Sequence, residues 1–182
     1  MFPLNLPNLL TVLRILLVPV VVVALLDQTE NGDLLAAIVF AFASITDWVD
    51  GWLARTRGAI TTFGKLMDPI ADKLLVVAAL VALVSLDRLA AWVAMVIIAR
   101  ELAVTMSRMA ATSQGVVIAA NRWGKVKTAL QVATIFLLIA VSGSPLWLDV
   151  LVYVTVAVTI VSGLEYFFGL RRVLADRERV GA

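Results

Sequence analysis

Long apolar runs separated by short polar segments fill the chain from residue 9 to residue 170. Each run is about 20 residues long, which is the length a helix needs to cross the hydrocarbon core of a bilayer. The pattern therefore predicts an all-α, polytopic membrane protein with six transmembrane helices. The predicted spans are residues 9–26, 34–55, 65–86, 89–109, 124–141 and 146–170.

The composition supports this interpretation and leaves no room for a separate soluble domain. Of the residues, 62% are hydrophobic, and the mean hydropathy is +1.02, far above the values of soluble domains. We therefore treat residues 1–182 as one membrane domain, with a juxtamembrane N-terminus at 1–8 and a charged cytoplasmic tail at 171–182. There is no cysteine and no histidine, which excludes disulfides, thiol chemistry and soft-metal sites.

Basic residues alternate between the two sides of the predicted membrane. Segments 27–33 and 142–145 contain no Lys or Arg, whereas segments 55–65, 108–127 and 171–182 contain several. Because Lys and Arg collect in cytoplasmic loops, both termini are expected in the cytoplasm. The same bias accounts for the net charge of +2, so we expect no nucleic-acid partner.

Two pairs of aspartates lie near the cytoplasmic ends of the second and third spans. Asp47 and Asp50 are three residues apart, and Asp68 and Asp72 are four apart, so on a helix each pair shares a face. Carboxylates inside a span are costly and repel one another. An oxygen-only site suits Mg²⁺, Mn²⁺ or Ca²⁺, and four carboxylates can hold two such ions, as in phosphoryl transfer.

Small residues lie among these acids, and the acids also have a simpler explanation. Gly51, Ala54 and Gly64 would let a ligand approach the backbone closely. The alternative to a metal site is a salt-bridge cluster of the acids with nearby basic residues, namely Arg55, Arg57 and Lys65.

The depth of the four aspartates in the bilayer helps to distinguish an enzyme from a transporter. By helical rise, Asp47 lies about 12 Å from Arg55 along the axis, so the acids lie in the cytoplasmic half of the bilayer. Transporters more often bind their ions near the midplane. A cytoplasm-facing cavity suits a reaction between a lipid and a soluble molecule, and a cation carrier remains the alternative of another class.

Basic residues in later spans are candidates for holding a phosphate. These candidates are Arg100, Arg108, Lys125 and Lys127. A charge well inside a span, such as Arg100, marks a functional site by default, although Arg100 can also pair with its neighbour Glu101. Lys125 and Lys127 are about 200° apart on a helix, so a regular helix cannot present both to one site.

Three basic or polar positions elsewhere have open interpretations. Thr11 and Arg14 lie early in the first span. Arg14 either extends to the membrane interface or contacts the phosphate of an anionic lipid or nucleotide. Lys73 follows Asp72 but points about 100° away on a helix, so we expect it to extend to the interface.

The aspartate stretch resembles the signature of the CDP-alcohol phosphotransferases. That signature is D-x-x-D-G-x-x-A-R, eight residues, then G-x-x-x-D-x-x-x-D, and residues 47–72 match every defined position. The resemblance implies a six-helix membrane domain, usually a homodimer. It also implies two divalent cations, Mg²⁺ or Mn²⁺, and transfer of a substituted phosphate from a CDP-linked donor to an alcohol with release of CMP.

The resemblance also assigns roles to residues. It implies that Asp47, Asp50 and Asp68 are metal ligands and that Asp72 is the general base, with a possible metal contact. Contacts to the CDP moiety are expected from Gly51, Ala54, Arg55 and Gly64. Contacts to the donor lipid or nucleotide are expected from Asn8, Thr11 and Arg14.

Three further stretches are similar to the bacterial branch of this family that uses sn-glycerol 3-phosphate as acceptor. They are residues 5–11, 99–101 and 124–128. This resemblance implies CDP-diacylglycerol as the donor, an active site on the cytoplasmic side of a bacterial inner membrane, and contact with membrane lipids. Because the signature concerns the donor half, inositol phosphate or serine remain alternative acceptors.

Overall fold

A computed structural model describes most of the chain. It describes the backbone of residues 6–27, 29, 31–57, 62–113, 122–143 and 145–180 and the side chains of residues 9–27, 29, 31–46, 70–71, 73–113, 124–143 and 145–173. Within these residues the fold is all-α, with no strand. The helices are α1 (Leu6–Leu26), α2 (Gly32–Arg57), α3 (Thr62–Ser85), α4 (Ala91–Ser113), α5 (Arg122–Ala140) and α6 (Leu146–Val180).

The turns between helices lie where the sequence predicts them. After α3, the amide of Arg88 donates to the carbonyl of Leu83 (2.9 Å) and the amide of Asp87 donates to that of Val84 (3.1 Å). Asp87 has a φ of 55°, the left-handed conformation that ends a helix in this hydrogen-bond pattern. Asp tolerates that conformation better than most non-glycine residues. The predicted turn at Asp87 and Arg88 is therefore confirmed.

The structure corrects the predicted end of the fourth helix and shows that the backbone of the charged tail is helical. Residues 110–123 were expected to form a loop, but α4 continues to Ser113, because alanines at 110 and 111 favour a helix. The backbone of the charged tail is helical as far as Val180, giving α6 35 residues. At 1.5 Å per residue, α6 is about 52 Å long, well beyond the thickness of a bilayer core.

Buried residues follow each helix at spacings of three and four. On α1 they are Thr11, Arg14, Val18, Val21 and Leu25, which is the stripe of a helix packed along its length. Helix α1 packs against α2 and α3, α5 packs against α6, and α4 contacts α3 and α6. Buried alanines on α2 and α3, including Ala36 and Ala79, allow the helix backbones to approach closely.

The outside of the bundle is as apolar as its core. Leu16, Ile38, Val81, Met95 and Leu146 are each more than half exposed. In the described part of the chain, two helical stretches are long and apolar enough to cross a bilayer, Leu9–Leu26 and Leu146–Val173. Gly32–Thr46 and Lys73–Ser85 are shorter apolar stretches.

Candidate active site

The signature aspartates lie on consecutive helices. Asp47 and Asp50 fall in the last three turns of α2, which ends at Arg57, and Asp68 and Asp72 fall in the first three turns of α3, which begins at Thr62. The helical backbone thus keeps each pair at the predicted register. The side chains of all four, and of Gly51, Ala54, Arg55 and Gly64, are outside the described residues.

A buried carboxylate on α4 pairs with Lys73, the residue that follows Asp72 in α3. Glu101 of α4 is 3% exposed. Its Oε2 accepts from Lys73 Nζ of α3 at 3.1 Å, and its Oε1 accepts from Arg100 Nη1 at 3.1 Å and from Lys127 Nζ of α5. We call Lys73, Arg100, Glu101 and Lys127 the Glu101 cluster. It joins three helices beside Asp72.

Among the side chains that the structure describes, the Glu101 cluster has one acid and three bases. One carboxylate faces two ammonium groups and one guanidinium. Buried charges are stable only when paired and hydrogen-bonded, and here the single acid is shared by three bases.

Helix α6 holds Arg100 in place. Arg100 Nη2 donates to Ser162 Oγ at 2.6 Å. A Cβ at the neighbouring Gly163 would lie 3.2 Å from Arg100 Cγ, so the arginine side chain lies directly against the helix backbone there. The expected pairing of Arg100 with Glu101 is confirmed, and a phosphate-binding role of Arg100 stays a prediction.

Lys125 and Lys127 lie on different faces of α5, as their helical angles predict. Lys127 is 2% exposed and bonds to Glu101, whereas Lys125 is exposed on another face of α5. Arg108 is exposed, and its guanidinium carbon lies 5.7 Å from the ring centre of Tyr166, within cation–π range. The structure therefore brings together Arg100 and Lys127 and leaves Arg108 and Lys125 outside the cluster.

One expectation about a basic side chain is wrong, and one of the two open interpretations of Arg14 is excluded. Lys73 does not extend to the membrane interface, because it bonds to Glu101. Arg14 is 1% exposed, so it does not extend to the interface either. Arg14 and Thr11 lie on the buried stripe of α1, which packs against α2 and α3. Asn8 lies in α1, and its side chain is outside the described residues.

A polar seam continues from the cluster between α5 and α6. On α5, Gln131 and Thr134 are buried at four and seven positions after Lys127. Thr134 and Thr155 share a hydrogen bond of 2.7 Å between their hydroxyls, and Ser162 lies seven positions further along α6. Such polar contacts between apolar helices fix their register, so the seam holds α5 and α6 in the alignment that places Lys127.

Comparison with known proteins connects this site to a family. Residues 4–161 match the CDP-alcohol phosphatidyltransferase family. The chain belongs to the CDP-alcohol phosphatidyltransferase family. It is 44% identical over 181 residues to the CDP-diacylglycerol–glycerol-3-phosphate 3-phosphatidyltransferase of Bacillus subtilis (strain 168), covering 90% of this chain and 93% of that protein.

Other similar proteins come from further bacteria. A probable phosphatidylglycerophosphate synthase of Mycobacterium tuberculosis (strain H37Rv) is 40% identical over 177 residues, covering 94% of this chain and 83% of that protein. A protein of Haemophilus influenzae (strain Rd), bearing the same name as the Bacillus protein, is 34% identical over 186 residues, covering 94% and 96%.

The family generally uses divalent metal ions, and the donor set here suits them. No group of three or more acidic side chains that could hold a metal occurs among the described residues, and the signature aspartates lie outside that part of the chain. Four carboxylates on consecutive helices form an oxygen-only set, which matches hard divalent cations.

The sequence indicated that Arg100 can pair with Glu101, but not that Lys73 and Lys127 share the same carboxylate. A signal for Glu101 was present, since it continues the buried spacing of Ala94, Ile97 and Val104 along α4. An ionised acid on that buried stripe is stable only when basic or hydrogen-bonding side chains pair with it. Lys73 carried no comparable signal, because only the packing of α4 and α5 against α3 gives it a partner.

Proposed function

We propose that this protein transfers the phosphatidyl group of CDP-diacylglycerol to sn-glycerol 3-phosphate, giving phosphatidylglycerophosphate and CMP. The observation that carries the proposal is the 44% identity, over 90% of this chain, to a Bacillus subtilis protein named for that reaction. The buried bases Arg100 and Lys127 add support, because an acceptor that bears a phosphate needs basic side chains at its binding site.

In the proposed reaction, Asp72 acts as general base. Its carboxylate takes the proton from the primary hydroxyl of the acceptor. The hydroxyl oxygen forms a bond to the phosphorus that carries diacylglycerol, and the bond from that phosphorus to the bridging oxygen breaks. CMP leaves with the bond's electron pair. A positioned base of this kind contributes about 10²- to 10⁴-fold to a rate.

Two divalent cations, Mg²⁺ or Mn²⁺, are proposed to be held by Asp47, Asp50, Asp68 and Asp72. Bound there, they would neutralise charge on the pyrophosphate and on the leaving group.

Gly51, Ala54 and Gly64 are proposed to pack against the CDP moiety, with Arg55 contacting its phosphates. On α1, which packs against α2 and α3, Arg14 adds buried positive charge on the donor side, with Thr11 and Asn8 nearby in the helix.

The acceptor phosphate is proposed to bind at the Glu101 cluster. Arg100 and Lys127 belong to it, and both hold their positions through Glu101. Lys73 links the cluster to the helix that carries Asp72. Arg108 and Lys125, which are exposed, would act as outer positive charges that attract the anionic acceptor from the cytoplasm.

We further propose that the protein is a multi-pass protein of a bacterial inner membrane and works as a homodimer. Its six apolar helices and its exposed apolar side chains suit a lipid environment, since water-soluble proteins rarely expose such surfaces. The distribution of Lys and Arg supports cytoplasmic termini and a cytoplasmic active site.

The proposal is tested by CMP release from the purified protein. The assay would supply CDP-diacylglycerol and Mg²⁺ with glycerol 3-phosphate, inositol phosphate, serine or no acceptor. We expect release only with glycerol 3-phosphate, and none after chelation with EDTA until Mg²⁺ or Mn²⁺ is restored. Release with another acceptor would correct the substrate, full activity in EDTA would refute the metal site, and no release with any acceptor would favour an ion carrier.

A further inference from the structure

Two small residues of α6 lie against the side chain of Arg100. Ser162 is 4% exposed, and its Oγ accepts from Arg100 Nη2 at 2.6 Å. Gly163 follows it in the chain, and a Cβ there would lie 3.2 Å from Cγ and 3.8 Å from Nε of Arg100. A hydroxyl of α6 therefore holds the guanidinium, while the aliphatic stem of the arginine lies against the α6 backbone.

Among the described residues, Arg100 alone occupies the space beside Gly163. No other described atom lies within 4 Å of the position that a Cβ at Gly163 would take. Carbon atoms pack best about 3.5–4.0 Å apart, so a methyl group at this position would push the arginine stem away from α6. Glycine weakens a helix interior, and the close approach of Arg100 gives a structural reason for it here.

Two hydrogen bonds to different helices fix the plane of the guanidinium. Nη1 donates to Glu101 Oε1 of α4 at 3.1 Å, and Nη2 donates to Ser162 Oγ of α6. The guanidinium is planar and its donors form a rigid fork, so bonds at both terminal nitrogens set the direction of the whole group. A side chain that is ordered before its ligand arrives loses less entropy on binding.

We propose that Ser162 and Gly163 are positioning residues that set the affinity for the acceptor phosphate through Arg100. This inference rests on the proposed function, in which Arg100 helps to bind that phosphate. Both residues lie just beyond residues 4–161, which match the family, and neither belongs to the aspartate signature. Acceptor binding thus depends on α6, a helix that contributes no residue to the proposed metal site.

The test compares two glycines of α6, each replaced by alanine in the full-length protein. Gly163→Ala adds a methyl group against Arg100, whereas Gly169→Ala adds one where no described atom lies within 4 Å. Both changes raise helix propensity, so the contact with Arg100 is the difference between them. We expect Gly163→Ala to raise KM for glycerol 3-phosphate about 3- to 10-fold, less than the loss of a whole charge-assisted hydrogen bond.

The control variant, Gly169→Ala, should keep the wild-type KM for glycerol 3-phosphate. In both variants, KM for CDP-diacylglycerol and kcat at saturating acceptor should stay at the wild-type values, because only binding of the acceptor is weakened. Ser162→Ala removes the hydroxyl that accepts from Arg100. It should raise the same KM as Gly163→Ala, and it provides an independent test if alanine at position 163 prevents folding.

A double-mutant cycle shows whether the effect passes through Arg100. Arg100→Ala removes both the stem and the guanidinium, so adding Gly163→Ala to that variant should leave the acceptor KM unchanged. A rise that persists in the Arg100→Ala background would overturn the inference.

Two further results would contradict the inference. One is an equal acceptor KM in Gly163→Ala and Gly169→Ala. The other is an equal rise of the donor and acceptor KM in Gly163→Ala, which would indicate general damage to the site. Failure of the proposed function is distinguishable, because wild-type protein would then release no CMP with glycerol 3-phosphate.

Discussion

Two sets of ion pairs lie near α3, one at the middle of the helix and one just past its end, and they differ in the numbers of acids and bases among the described side chains. Past the end of α3, Arg88 Nη2 bonds to Asp33 Oδ2 at 2.7 Å, with both side chains about one-third exposed (31% and 30%). Twelve positions before that helix ends, about 18 Å along its axis, Lys73 belongs to the buried Glu101 cluster. The first pair has one acid and one base, whereas the cluster has one acid and three bases.

We propose that the partly exposed pair stabilises the fold and that the buried cluster binds a ligand. Arg88 joins the turn after α3 to the first turn of α2, and its Nη1 donates to the carbonyl of Ile139 at the end of α5 (3.5 Å). This pair has one positive and one negative charge, so it requires no further counter-charge. In the Glu101 cluster the described side chains place three bases around one buried acid, and we propose that an anion binds there.

The largest expected effect comes from Asp72→Asn, which removes the proposed base and leaves both ion-pair sites in place. CMP release with glycerol 3-phosphate should fall about 10²- to 10⁴-fold. Binding of CDP-diacylglycerol, measured by equilibrium binding in detergent, should persist. Loss of donor binding would instead assign Asp72 mainly to the metal site.

Replacement of Glu101 by leucine should strongly destabilise the bundle. Removing one partner of a buried ion pair typically costs about 3–5 kcal/mol, and here three cations would lose their counter-charge. Denaturant unfolding in detergent would measure the change. Glu165→Leu, at an exposed acid of α6, is the matched control and should not reduce stability; equal losses would mean that the cluster's charge balance is unimportant.

The smallest effect is expected for Asp33→Asn in the balanced pair. A partly exposed ion pair contributes about 0–1 kcal/mol, so the unfolding free energy should fall by no more than that. KM for glycerol 3-phosphate should stay at the wild-type value. A large rise in that constant would show that the two ion-pair sites are coupled and that their roles are not separate.

The sequence predicted the helices better than it predicted the Glu101 cluster. Apolar run length located all the described helices, and the left-handed Asp87 ends α3 where a turn was expected. The extension of α4 to Ser113 was missed, because Arg108 and the polar residues after it obscured continuous helix propensity. Helix edges depend on such local competition.

The family that the predicted site indicates is confirmed, whereas the roles of its residues are untested. The spacing of Asp47, Asp50, Asp68 and Asp72 identified the family, which the comparisons confirm, while the roles of these residues remain predictions. Arg100 and Lys127 were chosen as bases inside spans, and packing brings them together around Glu101. Lys73 could not be assigned from the sequence, because its partner lies on another helix and its helical angle pointed away from Asp72.

The most direct test compares two arginines, each removed by substitution with glutamine. Arg100→Gln and Arg88→Gln each delete one guanidinium that bonds to a carboxylate, one in the unbalanced cluster and one in the balanced pair. KM for glycerol 3-phosphate should rise about 10-fold or more in Arg100→Gln, the effect of one charge-assisted hydrogen bond, and should be unchanged in Arg88→Gln. Equal acceptor KM values in the two variants would contradict a phosphate-binding role for the Glu101 cluster.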